Sequence, residues 1–205
     1  WANSITYRDI ADMWIHESFA QFAESLFLDY HFGRQAANEY NIGLRNNISN
    51  AQPIIGKYNV NHLGSGDMYP KGSNMLHTLR NWVDDDGVFR NMLRGLQSEF
   101  YHEVVTTEQI EAYMSKHSGE DLSAVFNQYL RDTRIPVLQY RIKGKTLKYR
   151  YTQIVDGFNL PLKVQFNNED HVWLHPDSDW NTLKLKTTID SIAVDPNFYI
   201  HTAEV

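Results

Sequence analysis

Up to about Ile135-Pro136 the apolar residues recur at helical spacing, and after that point they alternate in short runs. Ile10, Met13, Trp14, Phe19, Phe22, Ala23, Leu26, Phe27 and Tyr30 predict one long, deeply buried helix over about residues 8–30. A second helix is predicted over about 34–48. The stretch from Gln52 to Gly66, rich in Asn and Gly, reads as loop. Pro70 suits the first turn of a third helix, where its missing N–H costs nothing, with Met75, Leu76, Leu79, Trp82 and Val83 lining one face. Helices follow at about 86–100 and 107–117. Thr106 with Gln109 forms a capping-box signature and Gly119 a stop. A last helix carries Leu122, Val125, Phe126, Tyr129 and Leu130 on one face.

Beyond Pro136 the period changes to two. Val137–Ile142 and Leu147–Tyr151 flank a Lys143-Gly144-Lys145 turn. Leu160–Phe166, His171–His175, Leu183–Lys186 and Ile189–Val194 follow, each bounded by Asn, Asp or Pro. About seven short strands in about seventy residues predict a small antiparallel β-sandwich. The fold class is therefore α+β, with a helical part over 1–134 and a β domain over 135–205.

Composition narrows the function. The 205 residues suffice for a substantial core, and 42% are hydrophobic. A net charge of −6 speaks against a nucleic-acid partner, because no basic excess is there to displace counterions. No apolar run approaches the roughly 20 residues of a membrane span. With no cysteine, any metal would rest on His, Asp and Glu.

Two residues stand out chemically. Glu17 lies within a mostly apolar helical stretch, where a carboxylate is costly unless paired or metal-bound. On spacing alone, the commoner reading is a glutamate on the polar stripe of an amphipathic helix. Tyr69 sits just ahead of a helix start, where its hydroxyl could donate to an oxyanion, or simply pack half-buried. Lys71 is expected to be a solvated surface charge. The nine histidines provide no i, i+4 pair within a helix. His171 and His175 fall on a strand, roughly 13 Å apart and too far to share one zinc.

Three segments together carry a resemblance. Trp1-Ala2-Asn3-Ser4-Ile5-Thr6 is similar to the residues that follow H-E-x-x-H in the aminopeptidase N family of zinc metallopeptidases (gluzincins). Asp12-Met13-Trp14-Ile15-His16-Glu17-Ser18-Phe19-Ala20 resembles that family's W-L-N-E-G-F-A, whose glutamate is the third zinc ligand. Met68-Tyr69-Pro70-Lys71-Gly72 resembles its Y-x-K-G, whose tyrosine stabilises the tetrahedral intermediate. The register also closes. With His-Glu-Trp immediately before Trp1, two of those residues plus residues 1 to 16 give the eighteen of H-E-x-x-H-x18-E. Ser18 and Ala2 stand where the family usually has glycine, and His16 where it often has asparagine.

The resemblance implies the helical subdomain of a thermolysin-like catalytic domain, incomplete without its H-E-x-x-H segment, followed by the family's β domain. It implies an aminopeptidase acting on peptide substrates, with Glu17 as zinc ligand and Tyr69 as catalytic donor. Asn3, Thr6 and Glu24 would support the ligands through hydrogen bonds. This chain alone is expected to be inactive and to bind zinc weakly or not at all. Loss of the upstream helix would uncover an apolar face around Trp1, Trp14 and Phe19, through which copies could self-associate. The alternatives are a catalytically dead relative that serves as a binding or scaffold protein, and a family hydrolase acting on a non-peptide substrate. A stand-alone peptide- or glycan-binding β module is the weakest.

Overall fold

The computed structural model describes residue 1 and residues 3–205; Ala2 lies outside the described residues. The chain opens with a short strand, β1 (Ile5–Tyr7), and a 3-10 turn at Ile10–Asp12. Asp9, in extended conformation, caps that turn by accepting from the Ala11 N–H at 2.9 Å, and Met13 stands between the turn and the main helix. Helix α1 therefore runs Trp14–Phe32, starting later than the apolar spacing predicts, and ends at Gly33 with φ of 88°. Helix α2 (Arg34–Leu44) packs beside it.

Helix α3 (Pro70–Val83) is the central element. Every residue from Pro70 to Trp82 is buried, because α1, α2 and α4 (Asp86–Glu99) all pack on it. The polar residues along α3 must therefore find partners inside the protein. Strand β2 (Glu103–Val105) pairs in parallel with β1 and brings the opening segment beside helix α5 (Thr107–Ser118). The predicted capping box at Thr106 and Gln109 is formed, and Gly119 ends α5 in left-handed conformation. Helix α6 (Ser123–Phe126) continues into a π-helical turn at Asn127–Arg131.

The β region contains β3 (Val137–Lys143), β4 (Thr146–Thr152), β5 (Leu162–Phe166), β6 (His171–Leu174), β7 (Asn181–Lys184), β8 (Ile192–Val194) and β9 (His201–Glu204). They form a four-stranded sheet in the order β7-β4-β3-β9 and a three-stranded sheet in the order β6-β5-β8. All pairs are antiparallel except β3 with β9. Strand β9 lacks the apolar alternation that marks the others, and the sequence pattern misses it.

The segment before β9 returns to the helices. Tyr129 donates its hydroxyl to the Tyr199 carbonyl at 2.6 Å, and the Tyr199 N–H donates to Thr78 Oγ1 at 3.0 Å. His77 Nε2 meets Asn197 Oδ1 at 2.9 Å. Helices and sheets thus share one continuous apolar core.

Exposure along α1 differs from the sequence expectation at both ends. Trp14 and Phe19 are buried, and Trp1 stacks on Phe19 at 4.4 Å, so no uncovered face centres on these three. The exposed aromatics lie farther along α1, with Phe27 58%, Tyr30 85% and Phe32 69% exposed. The buried stripe of Trp14, Ile15, Ser18, Phe19, Phe22 and Ser25 occupies one side of the helix, and Phe27 projects from the opposite side. Among the described residues no helix is long and apolar enough to cross a membrane.

Candidate metal and catalytic site

Glu17 falls in the first turn of α1 and is half-buried. No lysine or arginine pairs with it among the described residues. Tyr69 occupies the N-cap position of α3, 40% exposed, where a 3-10 turn at Gly66–Met68 gives way to the helix. The fold brings these two side chains together across about fifty residues of sequence. Burial and the nearby Glu17 carboxylate raise the Tyr69 phenol above its ordinary value. Tyr69 therefore keeps its proton at neutral pH and remains a donor.

The backbone around both residues is held by buried contacts. Ser18, next to Glu17, donates its hydroxyl to the carbonyl of Met68, next to Tyr69, at 2.7 Å. Asp67 anchors the turn before Tyr69 by accepting from the N–H groups of Ser49 and Asn50 at 2.9 and 2.7 Å. Lys71 corrects the sequence expectation of a solvated charge. It is fully buried, and its Nζ donates to the Asp132 carbonyl at 2.8 Å, at the end of the π-helical turn. Burial lowers its pKa to about 8, against the favourable charges of Asp67 and Asp132. Its long stem suits a surface position, and only the packing of α3 on every side makes it internal.

A second network secures the start of α1. Buried Asp12 accepts hydroxyl hydrogen bonds from Tyr58 and Thr107, both at 2.6 Å. Thr107 Oγ1 in turn accepts from the Trp14 indole N–H at 2.7 Å. His16 turns away from Glu17, with its Nε2 2.7 Å from the Ile5 carbonyl and its ring against Tyr7. Burial lowers the His16 pKa.

The three supporting candidates separate. Glu24 lies seven residues beyond Glu17 on the same face of α1, roughly 10 Å along the axis. It accepts from Gln21 Nε2 at 2.6 Å and from the Tyr40 hydroxyl. Burial and Glu24 push Tyr40 up to about 12. Asn3 and Thr6 are exposed, Thr6 pairs with Val104 in β1, and no hydrogen bond joins either to Glu17 or Tyr69 among the described residues.

The donor chemistry fits zinc only in part. A half-buried carboxylate without a cation suits one oxygen ligand. Among the described residues, however, no three His, Cys, Asp or Glu side chains come together. The Glu17 carboxylate alone does not make a zinc site among the described residues.

Residues 1–129 match the Peptidase family M1 domain. Aminopeptidase N of Lactococcus lactis subsp. lactis is 22% identical over 97% of this chain and 24% of its own length. Aminopeptidase M1-B of Oryza sativa subsp. japonica is also 22% identical, over 78% of this chain and 20% of its own. Legionella pneumophila aminopeptidase A, solved with aspartic acid, superposes with a TM-score of 0.71 over 98% of this chain and 25% of its own, at 14% identity. The chain spans about a quarter or less of the length of each. With the family domain matching well over half of its residues, the chain belongs to peptidase family M1.

Proposed function

We propose that this chain contributes the Glu17–Tyr69 half of a zinc aminopeptidase site that removes N-terminal residues from peptides. The observation that carries the reading is that the fold sets Tyr69 beside Glu17, the residue after one bonded to the residue before the other, each within a motif that resembles a functional one of the family. Glu17 would hold zinc together with two histidines of an H-E-x-x-H segment upstream of Trp1. Bound there, zinc would supply Lewis-acid activation of a water and of the scissile carbonyl. The upstream motif glutamate would be the general base.

Tyr69 would act through its proton. Held near Glu17 with a raised pKa, the phenol presents O–H to the oxygen on which negative charge develops. Its place at the N-terminal end of α3 adds the positive end of the helix dipole on the same side. One oxyanion donor of this kind is worth about 3–4 kcal/mol.

The test uses the protein extended upstream through that segment and loaded with zinc. Tyr69→Phe is expected to lower kcat on amino-acyl amides by about 100- to 1000-fold with little change in KM. Unchanged kcat would remove Tyr69 from the chemistry. Absence of turnover in the zinc-loaded wild type would instead favour a binding or scaffold role. The 205-residue chain by itself is expected to show no turnover.

A further inference from the structure

Helices α1 and α3 pack tightly where Ser18 faces Gly72. A Cβ added at Gly72 would lie 1.9 Å from Ser18 Oγ and 2.6 Å from Ser18 Cβ. The first turn of α3 therefore closes onto α1 only because residue 72 has no side chain, and the Ser18 hydroxyl occupies the space. That hydroxyl is spent on a buried bond to the Met68 carbonyl at 2.7 Å. The bond joins the residue after Glu17 to the residue before Tyr69. On the other flank, Lys71 Nζ ties the same turn of α3 to the Asp132 carbonyl at 2.8 Å.

We infer that Ser18 is a positioning residue, whose hydroxyl bond to the Met68 carbonyl fixes Tyr69 beside Glu17. The inference rests on the reading of Glu17 and Tyr69 given above. Position 18 is a glycine in the resembled W-L-N-E-G-F-A motif, and glycine cannot make this bond. In this chain the spacing between ligand and donor is therefore set by a side-chain hydrogen bond inserted between their backbones. Touching neither metal nor substrate, Ser18 acts only through Tyr69.

The 205-residue chain carries all three residues and suffices for the test. 3-Fluorotyrosine placed only at position 69 gives one ¹⁹F resonance, recorded below neutral pH where the phenol keeps its proton. Glu17→Gln is expected to shift that resonance when Ser18 is present. In Ser18→Ala the response to Glu17→Gln should fall by more than half and the line should broaden. Ser18→Gly/Gly72→Ala refills the space from the other side without restoring the bond. It should show the same loss, and it carries the comparison should Ser18→Ala unfold. An undiminished response in both variants would overturn the positioning role while leaving the Glu17–Tyr69 pair intact. No response in the Ser18 protein would overturn the pair and the positioning role together.

Discussion

At the scale of single residues, the chemistry follows from where the packing leaves each charge. Glu17 and Tyr69 were legible in the sequence as motif members, but their meeting was not, because nothing local links positions so far apart. Lys71 reads as a surface charge because an ordinary lysine carries no mark in the sequence of being enclosed. Its burial has a measurable consequence. Its pKa is about 8 in the fold against 10.5 for the free side chain, so between these values the unfolded chain binds more protons. The penalty for the buried charge is fully present below pH 8 and disappears as pH rises toward 10.5. Denaturant titrations should therefore show the wild type gaining stability relative to Lys71→Met across that window, by on the order of 3 kcal/mol. Parallel profiles would mean that the lysine titrates in the fold as it does in the unfolded chain.

Elements show how far a periodic pattern reaches. Existence and type of the main helices were legible because caps agree with pattern, as at Thr106, Gln109 and Gly119 around α5. Thr106→Ala is expected to cost about 1 kcal/mol in thermal or chemical unfolding, the usual value of such a cap. Thr107→Val, one residue later, should cost about 3 kcal/mol, because it strips a donor from buried Asp12 and the acceptor from the Trp14 indole. If the two substitutions cost the same, the buried network contributes no more than the cap. The parallel pair β1–β2 was invisible to the pattern, being three residues in each strand and paired across almost a hundred positions. The apolar spacing also overran the buried part of α1: Phe27 and Tyr30 continue the run of large apolar residues but fall outside the stripe that α2 and α3 cover.

For the whole molecule, the helical part and the β region are joined by the return segment lying on α3, and His77 sits in that joint. Its Nε2–H donates to Asn197 Oδ1, which leaves Nδ1 as the bare ring nitrogen, buried without a partner among the described residues. Burial, with Arg34, Arg45 and Arg80 nearby, pushes its pKa down to about 4 from 6.5. The unfolded chain binds more protons between these values, so stability should fall as pH drops from 6.5 to 4, by on the order of 3 kcal/mol. His77→Gln should flatten that limb of the profile, and an unaltered acid limb would assign the loss to other groups. The α+β order was legible from the change of period at Ile135-Pro136, whereas the joint was not, because Asn197 and Tyr199 meet α3 through tertiary contacts alone. The proposed site depends on Glu17 being a metal ligand. The measurement that tests this most directly is the zinc stoichiometry and affinity of the protein extended upstream of Trp1, compared with its Glu17→Gln variant. One zinc per chain, bound about a hundredfold or more weakly after the substitution, is the expected result. Equal zinc affinity with and without the carboxylate, or no zinc in the wild type, would contradict it.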